Sequence, residues 1–284
     1  MDLIKTIHES RALRAQWQNE QNRVSLVPTM GALHAGHLSL VRRARELSDR
    51  VIVSIFVNPT QFGPNEDFQR YPRSWDKDLD LLKEHLVDAV YAPEVSQVYP
   101  PGFRTFVTVE ELSQKLCGIT RPGHFRGVTT IVCKLLTIWQ PDVALFGWKD
   151  AQQCILIQRM VEDLSFPVEI VPCPIVREPD GLAMSSRNSY LTREERLVAT
   201  HLYQSLQWAK EKVKRGEKSS AVLLDGVKTQ LRAEPLIRLD YAEIVSIRDL
   251  SSLEIVDSSA MLALAAFFGT TRLIDNTLLM ADAA

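Results

Sequence analysis

The sequence predicts a doubly wound, parallel α/β sheet followed by a smaller α+β domain, and three observations carry that reading. Short apolar, β-branched runs alternate with helix-period segments up to Val176, the order expected of repeated βα units. The run 51–57 is apolar at nearly every position, so both of its faces are covered, as inside a parallel sheet. The stretch Arg177-Glu178-Pro179-Asp180-Gly181 is rich in turn formers and breaks the pattern.

Residues 24–27 form the first sheet strand, bounded by Pro28, and 38–47 a helix with Arg42, Arg43 and Arg45 outward. A strand at 51–57 follows, then a helix over 74–86 in which Ser74 is placed to cap the first turn and Leu79, Leu82 and Leu86 form one stripe. Strand 89–92, helix 128–138, strand 143–146, helix 151–164 and strand 168–176 complete the βα series, with right-handed crossovers expected between parallel strands. The break at 177 sets the domains at 1–176 and 177–284. The second part predicts a long charged helix over about 192–215, another over 222–231, and strands at 241–246 and 261–268. No internal repeat of roughly 20–50 residues is present.

The 284 residues suit one large or two ordinary domains, and 45% hydrophobic with 24% charged residues excludes a disordered or collagen-like chain. Lys plus Arg number 33 against 35 Asp plus Glu, so the net charge of -2 offers no electrostatic reason for nucleic-acid or membrane binding. Any phosphate chemistry must therefore be local. Cys117, Cys133, Cys154 and Cys173 are too scattered for a disulfide framework or a paired zinc motif and read as reduced, packed thiols. No secretory leader is visible, and the most apolar run, 260–268, falls far short of the ~20 residues of a membrane helix, so a cytoplasmic protein is expected.

Four segments can carry chemistry. Between the first sheet strand and its helix lies Pro28-Thr29-Met30-Gly31-Ala32-Leu33-His34-Ala35-Gly36-His37. Ligands of open α/β sheets bind at such strand ends, and a helix amino terminus suits an anion without excess basic residues. If His34 opens the helix, His37 lies one turn on, so both imidazoles can stabilise charge building on a phosphate, with Gly31 and Gly36 leaving room for it. The plain alternative is a His pair that caps a helix or packs in the core.

At the end of the second strand, Asn58 and Gln61 offer neutral amides that recognise hydroxyls or carboxylates without dulling a nucleophile, although Asn-Pro is also an ordinary turn. Lys149 follows a third strand and is placed to meet phosphates. Asp150 can cap the next helix or bind ribose hydroxyls, and Gln153 lies one turn further. In the fourth segment Ser185, Ser186 and Arg187 can hold phosphate oxygens, or form an exposed turn.

Together these segments resemble the pantoate–β-alanine ligase family. The likeness covers most of the chain and is densest from Val27 to Arg187, through Pro28-Thr29-Met30-Gly31, His34-Ala35-Gly36-His37, Phe56-Val57-Asn58-Pro59, Gln61-Phe62 and Tyr71-Pro72-Arg73. It continues through Arg121-Pro122-Gly123-His124-Phe125-Arg126-Gly127-Val128 and Gly181-Leu182-Ala183-Met184-Ser185-Ser186-Arg187-Asn188. The His-x-Gly-His element alone is shared with nucleotidylyltransferases and class I aminoacyl-tRNA synthetases; the ordered combination is specific.

The resemblance implies a Rossmann-like domain over 1–176 that binds ATP and pantoate, a smaller lid domain over 177–284, a homodimer, and ATP with Mg2+ as cosubstrate. It implies that pantoate attacks the α-phosphorus of ATP, releasing pyrophosphate, and that β-alanine then displaces AMP from pantoyl adenylate to give pantothenate. By match to family motifs, Met30 to His37, with Gly31, His34 and Gly36, cradle ATP, and His37 holds the place conventionally given to a proton donor. Gly147, Lys149, Asp150, Val176, Met184, Ser185, Ser186 and Arg187 match the nucleotide site, and Asn58, Gln61 and Gln153 the pantoate region, Gln61 also lying near β-alanine. The chain departs from the family at Trp148, where Glu is usual, and at Ala151, where an aromatic residue is common. Two other readings remain at this point: nucleotidyl transfer to another acceptor, on the His34–His37 element alone, and a non-catalytic nucleotide-binding regulator, hinted at by Trp148.

Overall fold

The alternating apolar runs of the first part become a six-stranded sheet in which every pairing is parallel. Its strands are β1 (Asp2–Ile4), β2 (Val24–Thr29), β3 (Arg50–Ile55), β4 (Ala89–Tyr91), β5 (Val143–Gly147) and β6 (Glu169–Cys173), in the order β1-β4-β3-β2-β5-β6. The computed structural model describes residues 1–280, and contacts divide them into two units. The first comprises Met1–Gln114, Gly118–Trp148 and Leu156–Pro174; the second comprises Lys115–Cys117, Lys149–Ile155 and the chain from Ile175 onward.

Helices cover both faces of the parallel sheet, as double winding requires. Alternate strand residues Val27, Val53, Val90 and Leu145 pack with Val41 of α2 (Ala35–Leu47) and Leu82 of α3 (Trp75–Glu84). On the opposite face Tyr91 meets Trp139 edge-on at 5.7 Å, and Trp139 stacks on Trp17 at 6.4 Å. These indoles belong to α6 (His124–Trp139) and α1 (Ile7–Asn19), the latter opened by a Thr6–Glu9 capping box. Each fully buried Val or Leu contributes roughly 1.5–3 kcal/mol, so the stack of β-branched residues sets the sheet's register as well as its stability. Single-turn helices α4 (Val95–Val98) and α5 (Cys117–Thr120) lie between, and α7 (Ala151–Asp163) follows β5.

From β2 the chain winds outward through β3 and β4, then returns to β5 on the other side of β2. The topological switch point therefore falls between the carboxyl ends of β2 and β5, where open α/β sheets leave a crevice.

The second unit is a three-stranded antiparallel meander, β7 (Arg238–Ser246), β8 (Ala260–Phe268) and β9 (Thr271–Leu278). Leu262, Leu264, Ala266 and Phe268 of β8 pack with Leu206 of α9 (His201–Lys214) and Leu223 and Val227 of α10 (Ser220–Arg232). A shorter helix, α8 (Arg193–Val198), precedes α9 behind a Thr192–Glu195 capping box. The three cysteines Cys117, Cys154 and Cys173 are buried free thiols, and Cys133 is partly exposed. Among the described residues no helix is long and apolar enough to cross a membrane.

Three expectations need correction. The helix over 192–215 is two helices: Thr200 Oγ1 donates to the Leu197 carbonyl at 2.7 Å, and the backbone slips to i→i+3 bonds at Thr200 and Leu202. Leu86 is no part of the α3 stripe. The helix ends at Glu84, and Leu86, at φ 56, is 72% exposed. The strand placed at 168–176 stops at Cys173, before Pro174, which has no N–H for a ladder. β1, α1 and β9 add to the predicted elements.

Candidate active site

The loop after β2 leaves the sheet through Thr29, whose Oγ1 donates to the Ser54 carbonyl at 2.7 Å and accepts the Gly31 N–H at 3.2 Å. Two residues then take left-handed backbone, Gly31 at φ 78 and Ala32 at φ 51. For Ala32 this costs about 1–2 kcal/mol, and local hydrogen bonds must offset it. They come from Asp78 of α3, a carboxylate only 1% exposed. Its Oδ2 accepts the Ala32 N–H at 2.8 Å; its Oδ1 accepts the Leu33 N–H at 2.9 Å and the Ser74 hydroxyl at 2.9 Å. Ser74 thus bonds Asp78 in place of the helix-capping bond expected of it. On its Cβ side Gly31 is closely packed: a Cβ there would lie 3.1 Å from both Asp78 Oδ2 and Ile55 Cγ2. Gly31 serves the turn.

His34 is the N-cap of α2, with His37 at its third position, and the two rings lie 4.1 Å apart at 42°. Their bonds are reciprocal: His34 Nδ1 accepts the Gly36 N–H at 3.2 Å, and His37 Nδ1 accepts the His34 N–H at 3.4 Å. A ring nitrogen that accepts carries no proton, so the hydrogen-bond network assigns the Nε2–H tautomer to both rings. Two neutral donors thus sit at the positive end of α2. The capping reading and the charge-stabilising reading are compatible, because one ring nitrogen serves each.

The turn after β3 is built around Asn58, 1% exposed and saturated with hydrogen bonds. Its Nδ2 donates to Gln61 Oε1 at 2.9 Å and to the Gly127 carbonyl at 3.1 Å; its Oδ1 accepts from Thr60 Oγ1 at 2.9 Å and Tyr99 at 2.8 Å. Asn58 therefore shapes the turn and orients Gln61. Burial pushes the Tyr99 phenol up, against the pull of its bonds to Thr60 and Asn58, which keeps it a donor. Gln61 itself is 9% exposed and directs Nε2 to Met30 Sδ at 3.2 Å. α6 packs directly on this turn: a Cβ on Gly127 would lie 2.4 Å from the Thr60 carbonyl.

The Gln61 backbone is fastened from the same side. Its carbonyl accepts His124 Nδ1 at 2.8 Å, while Arg121 donates from Nη1 to His124 Nε2 at 2.9 Å. Since a carbonyl only accepts and a guanidinium only donates, His124 is the Nδ1–H tautomer. Arg121 also grips Glu66 through two bonds of 2.7 and 2.6 Å. Burial alone would raise the Glu66 carboxyl, but the hydrogen bonds and charge of Arg121 hold it below its ordinary value.

Gly147 closes β5, and a Cβ there would meet nothing within 4 Å, so the strand end is open on that side. Trp148 is partly buried beside it. In the second unit Lys149 Nζ lies 3.3 Å from Asp150, and its carbonyl accepts the Asn276 amide at 3.0 Å. Gln153 is half-buried. Its neighbour Gln152 is buried, bonding the Lys115 carbonyl at 2.6 Å and the Cys117 N–H at 3.1 Å.

The segment holding Met184, Ser185, Ser186 and Arg187 is half-buried and shaped by its own backbone: Met184 N–H bonds the Val176 carbonyl at 3.0 Å, and Ser185 Oγ accepts the Arg187 N–H at 3.3 Å. Arg177 clamps its start, forking onto Asp275 of β9 at 2.7 and 2.9 Å and reaching the Gly181 carbonyl at 3.0 Å.

Sequence reasoning missed Asp78, Tyr99, the Glu66–Arg121–His124 chain and Asp275. One signal was available for Asp78: it adjoins Leu79 and lies one turn before Leu82, so a carboxylate stands on the apolar face of its helix. The Arg121 and His124 positions fall within a quoted motif that carried no assigned role.

The chain as a whole is similar to proteins of one family. A family model described as pantoate-beta-alanine ligase matches residues 2–278. The pantothenate synthetase of Roseiflexus sp. is 55% identical over 281 residues, covering 99% of this chain and all of that protein. A crystal structure of pantothenate synthetase from Thermus thermophilus superposes with a TM-score of 0.94 at 45% identity, covering 99% of this chain and 100% of that one. A pantoate-beta-alanine ligase from Francisella tularensis, solved with βγ-ATP and β-alanine, gives 0.81 at 34% identity over 99% of both chains. End-to-end likeness of sequence and of fold, at these identities, places the chain in the pantoate–β-alanine ligase family.

Proposed function

We propose that this chain condenses (R)-pantoate with β-alanine at the expense of ATP, with the His34–His37 pair at the start of α2 stabilising the adenylation step. The observation that carries the assignment of roles is the reciprocal cap, which commits each Nδ1 to the backbone and leaves Nε2–H as the ring's donor. In the first half-reaction a pantoate carboxylate oxygen bonds to the α-phosphorus as the bond to the pyrophosphate oxygen breaks. Charge rises on the phosphoryl oxygens, where two neutral donors and a helix terminus are useful. Neither ring has to transfer a proton. In the second, the β-alanine amine attacks the acyl carbon, AMP leaves, and the nitrogen sheds its proton to give the amide.

Met30, Gly31, Gly36, Gly147, Lys149, Asp150, Val176, Met184, Ser185, Ser186 and Arg187 are assigned to ATP, and Gln61 and Gln153 to pantoate. Asn58 acts through Gln61. Magnesium fits as a passenger on ATP: among the described residues no group of three or more His, Cys, Asp or Glu is disposed to hold a metal, and Mg2+ favours phosphate oxygens and water. No residue is assigned to it. A division of labour at residue 176, a homodimer and a cytoplasmic location complete the proposal on the strength of the family.

The test is direct. Pure protein with ATP, Mg2+, pantoate and β-alanine is expected to yield equal AMP, pyrophosphate and pantothenate, and pantoate alone should support ATP–pyrophosphate exchange. Absence of AMP above an enzyme-free control across several pH values would reject the activity. A product retaining the nucleotidyl group would favour nucleotidyl transfer instead.

A further inference from the structure

The turn that carries the histidine pair is gripped by a side chain on a different helix, and that grip has no role in the chemistry described so far. We infer that Asp78 is a positioning residue for adenylation: its buried carboxylate locks the turn 31–33 through the N–H groups of Ala32 and Leu33 and thereby fixes the His34–His37 pair. The step on which it acts rests on the ligase reading above.

Both oxygens are used, each on a backbone donor more than forty residues away in sequence, at 2.8 and 2.9 Å. The third partner is the Ser74 hydroxyl at 2.9 Å. Among the described residues no Lys or Arg forms an ion pair with Asp78. An aspartate that only solubilised α3 would face water, and one that only filled the core would be better replaced by leucine. This one is 1% exposed, and a Cβ on Gly31 would lie only 3.1 Å from its Oδ2. Its geometry serves the loop.

The next residue along the loop is the N-cap, His34, so the turn dictates where α2 begins and how the reciprocal cap closes. A carboxylate is acceptor-only, whereas a carboxamide has one acceptor and one donor end. Asn at position 78 would set an N–H against one of the two loop N–H groups and push the turn open with almost no change in volume. Displacement of reacting groups by about 1 Å is enough to cost on the order of 100-fold in rate.

The experiment compares full-length wild type, Asp78→Asn and Ser74→Ala by thermal unfolding, pantoate-dependent ATP–pyrophosphate exchange, pantoate titration, and 15N NMR of the histidine rings and the Ala32 and Leu33 amides. Asp78→Asn is expected to fold, to lose roughly 100-fold in exchange kcat, and to bind pantoate within about twofold of wild type. The His34 and His37 ring signals should move away from a fixed Nε2–H tautomer. Ser74→Ala removes one bond of three and should show the same changes on a smaller scale, a several-fold loss.

A folded Asp78→Asn with near-wild-type exchange and unchanged ring signals overturns the inference, as does a parallel loss of pantoate binding and exchange. Should Asp78→Asn not fold, Ser74→Ala decides by the same readouts, and wild-type behaviour there overturns it. A wild type without exchange would instead reject the ligase reading. The amide and ring signals, which need no turnover, would still test whether Asp78 holds the loop.

Discussion

Among the described residues two aspartates lie buried, one in each unit, and they are satisfied in opposite ways. Asp78 is 1% exposed and is held by neutral donors, two backbone N–H groups and a hydroxyl. Asp275 is 2% exposed and is held by a guanidinium, the Arg177 fork at 2.7 and 2.9 Å, with the Asn276 N–H at 2.8 Å. Burial pushes the Asp275 carboxyl above its ordinary range, against the pull of Arg177. The first arrangement ties side chain to backbone and so specifies the shape of a loop. The second ties side chain to side chain and fastens one end of a loop. Shape should be read out in catalysis, fastening in stability.

The sharpest way to break that contrast is Asp275→Ala. Removing one member of a buried pair leaves Arg177 without its counter-charge, and Arg177, 19% exposed and stacked 4.4 Å over Tyr203, cannot readily turn to water. The expected loss is about 3–5 kcal/mol of stability, measured from the shift of the urea midpoint at constant slope. His37→Ala is the converse. It should cost about 2.7–4 kcal/mol of transition-state stabilisation in single-turnover pyrophosphate release. Its folding cost should be only about 1 kcal/mol, for a lost capping bond. If Asp275→Ala spared stability, or His37→Ala spared the rate, the division between shape and fastening would fail.

The parts of the molecule that obey one periodicity are legible in the sequence. β2, β3 and β5 can be found because short apolar runs set between helix-period segments read as strands buried on both faces, and α2 because its apolar spacing follows a strand. His34 as helix start and His37 one turn on are also readable. What escapes is polarity inside apolar patterns. β9 contains Arg272, Asp275 and Asn276 among its apolar residues, so alternation fails there, although the two-residue turn Gly269-Thr270, with Gly269 at φ 55, marks a hairpin. Asp78 is easily passed over as a solvated charge. Asn58 reads as a ligand-facing amide; its donors and acceptor are spent on Gln61, Gly127, Thr60 and Tyr99, partners that only the tertiary structure brings together.

Two glycines extend the comparison to loop packing. A Cβ on Gly127 would lie 2.4 Å from the Thr60 carbonyl and 2.7 Å from Gln61 Cα, both rigid backbone. Gly127→Ala should therefore shift the turn that bears Gln61, cost roughly 1–3 kcal/mol of stability, and weaken pantoate binding more than ATP binding in separate titrations. Gly181 sits at φ 95 with the Tyr203 ring 2.0 Å from its would-be Cβ. Gly181→Ala should show a similar stability loss with the ligand preference reversed, ATP suffering more. Equal weakening of both ligands in either variant would mean that neither loop is tied to one substrate.

The smallest effect expected concerns a third carboxylate, Glu66, held like Asp275 by a guanidinium, that of Arg121, but nearer to solvent. Burial tends to raise it, yet the Arg121 hydrogen bonds and charge leave it lowered from 4.5. As pH falls, the unfolded chain therefore takes up the proton first. The stabilisation from this ion pair is complete above about 4.5 and disappears as pH drops through the lower folded-state value. Because both partners keep some contact with solvent, at 24% and 15% side-chain exposure, the gain should be modest, on the order of 1 kcal/mol. Glu66→Gln should accordingly be less stable than wild type by about that amount at pH 7, and the two urea midpoints should converge as the pH is taken from about 5 down towards about 3. Arg121 would still reach the Gln61 carbonyl and His124, so pantoate binding should change little. A gap that stays constant across that range would show that Glu66 contributes by packing alone, and that the charge on Arg121 is balanced elsewhere.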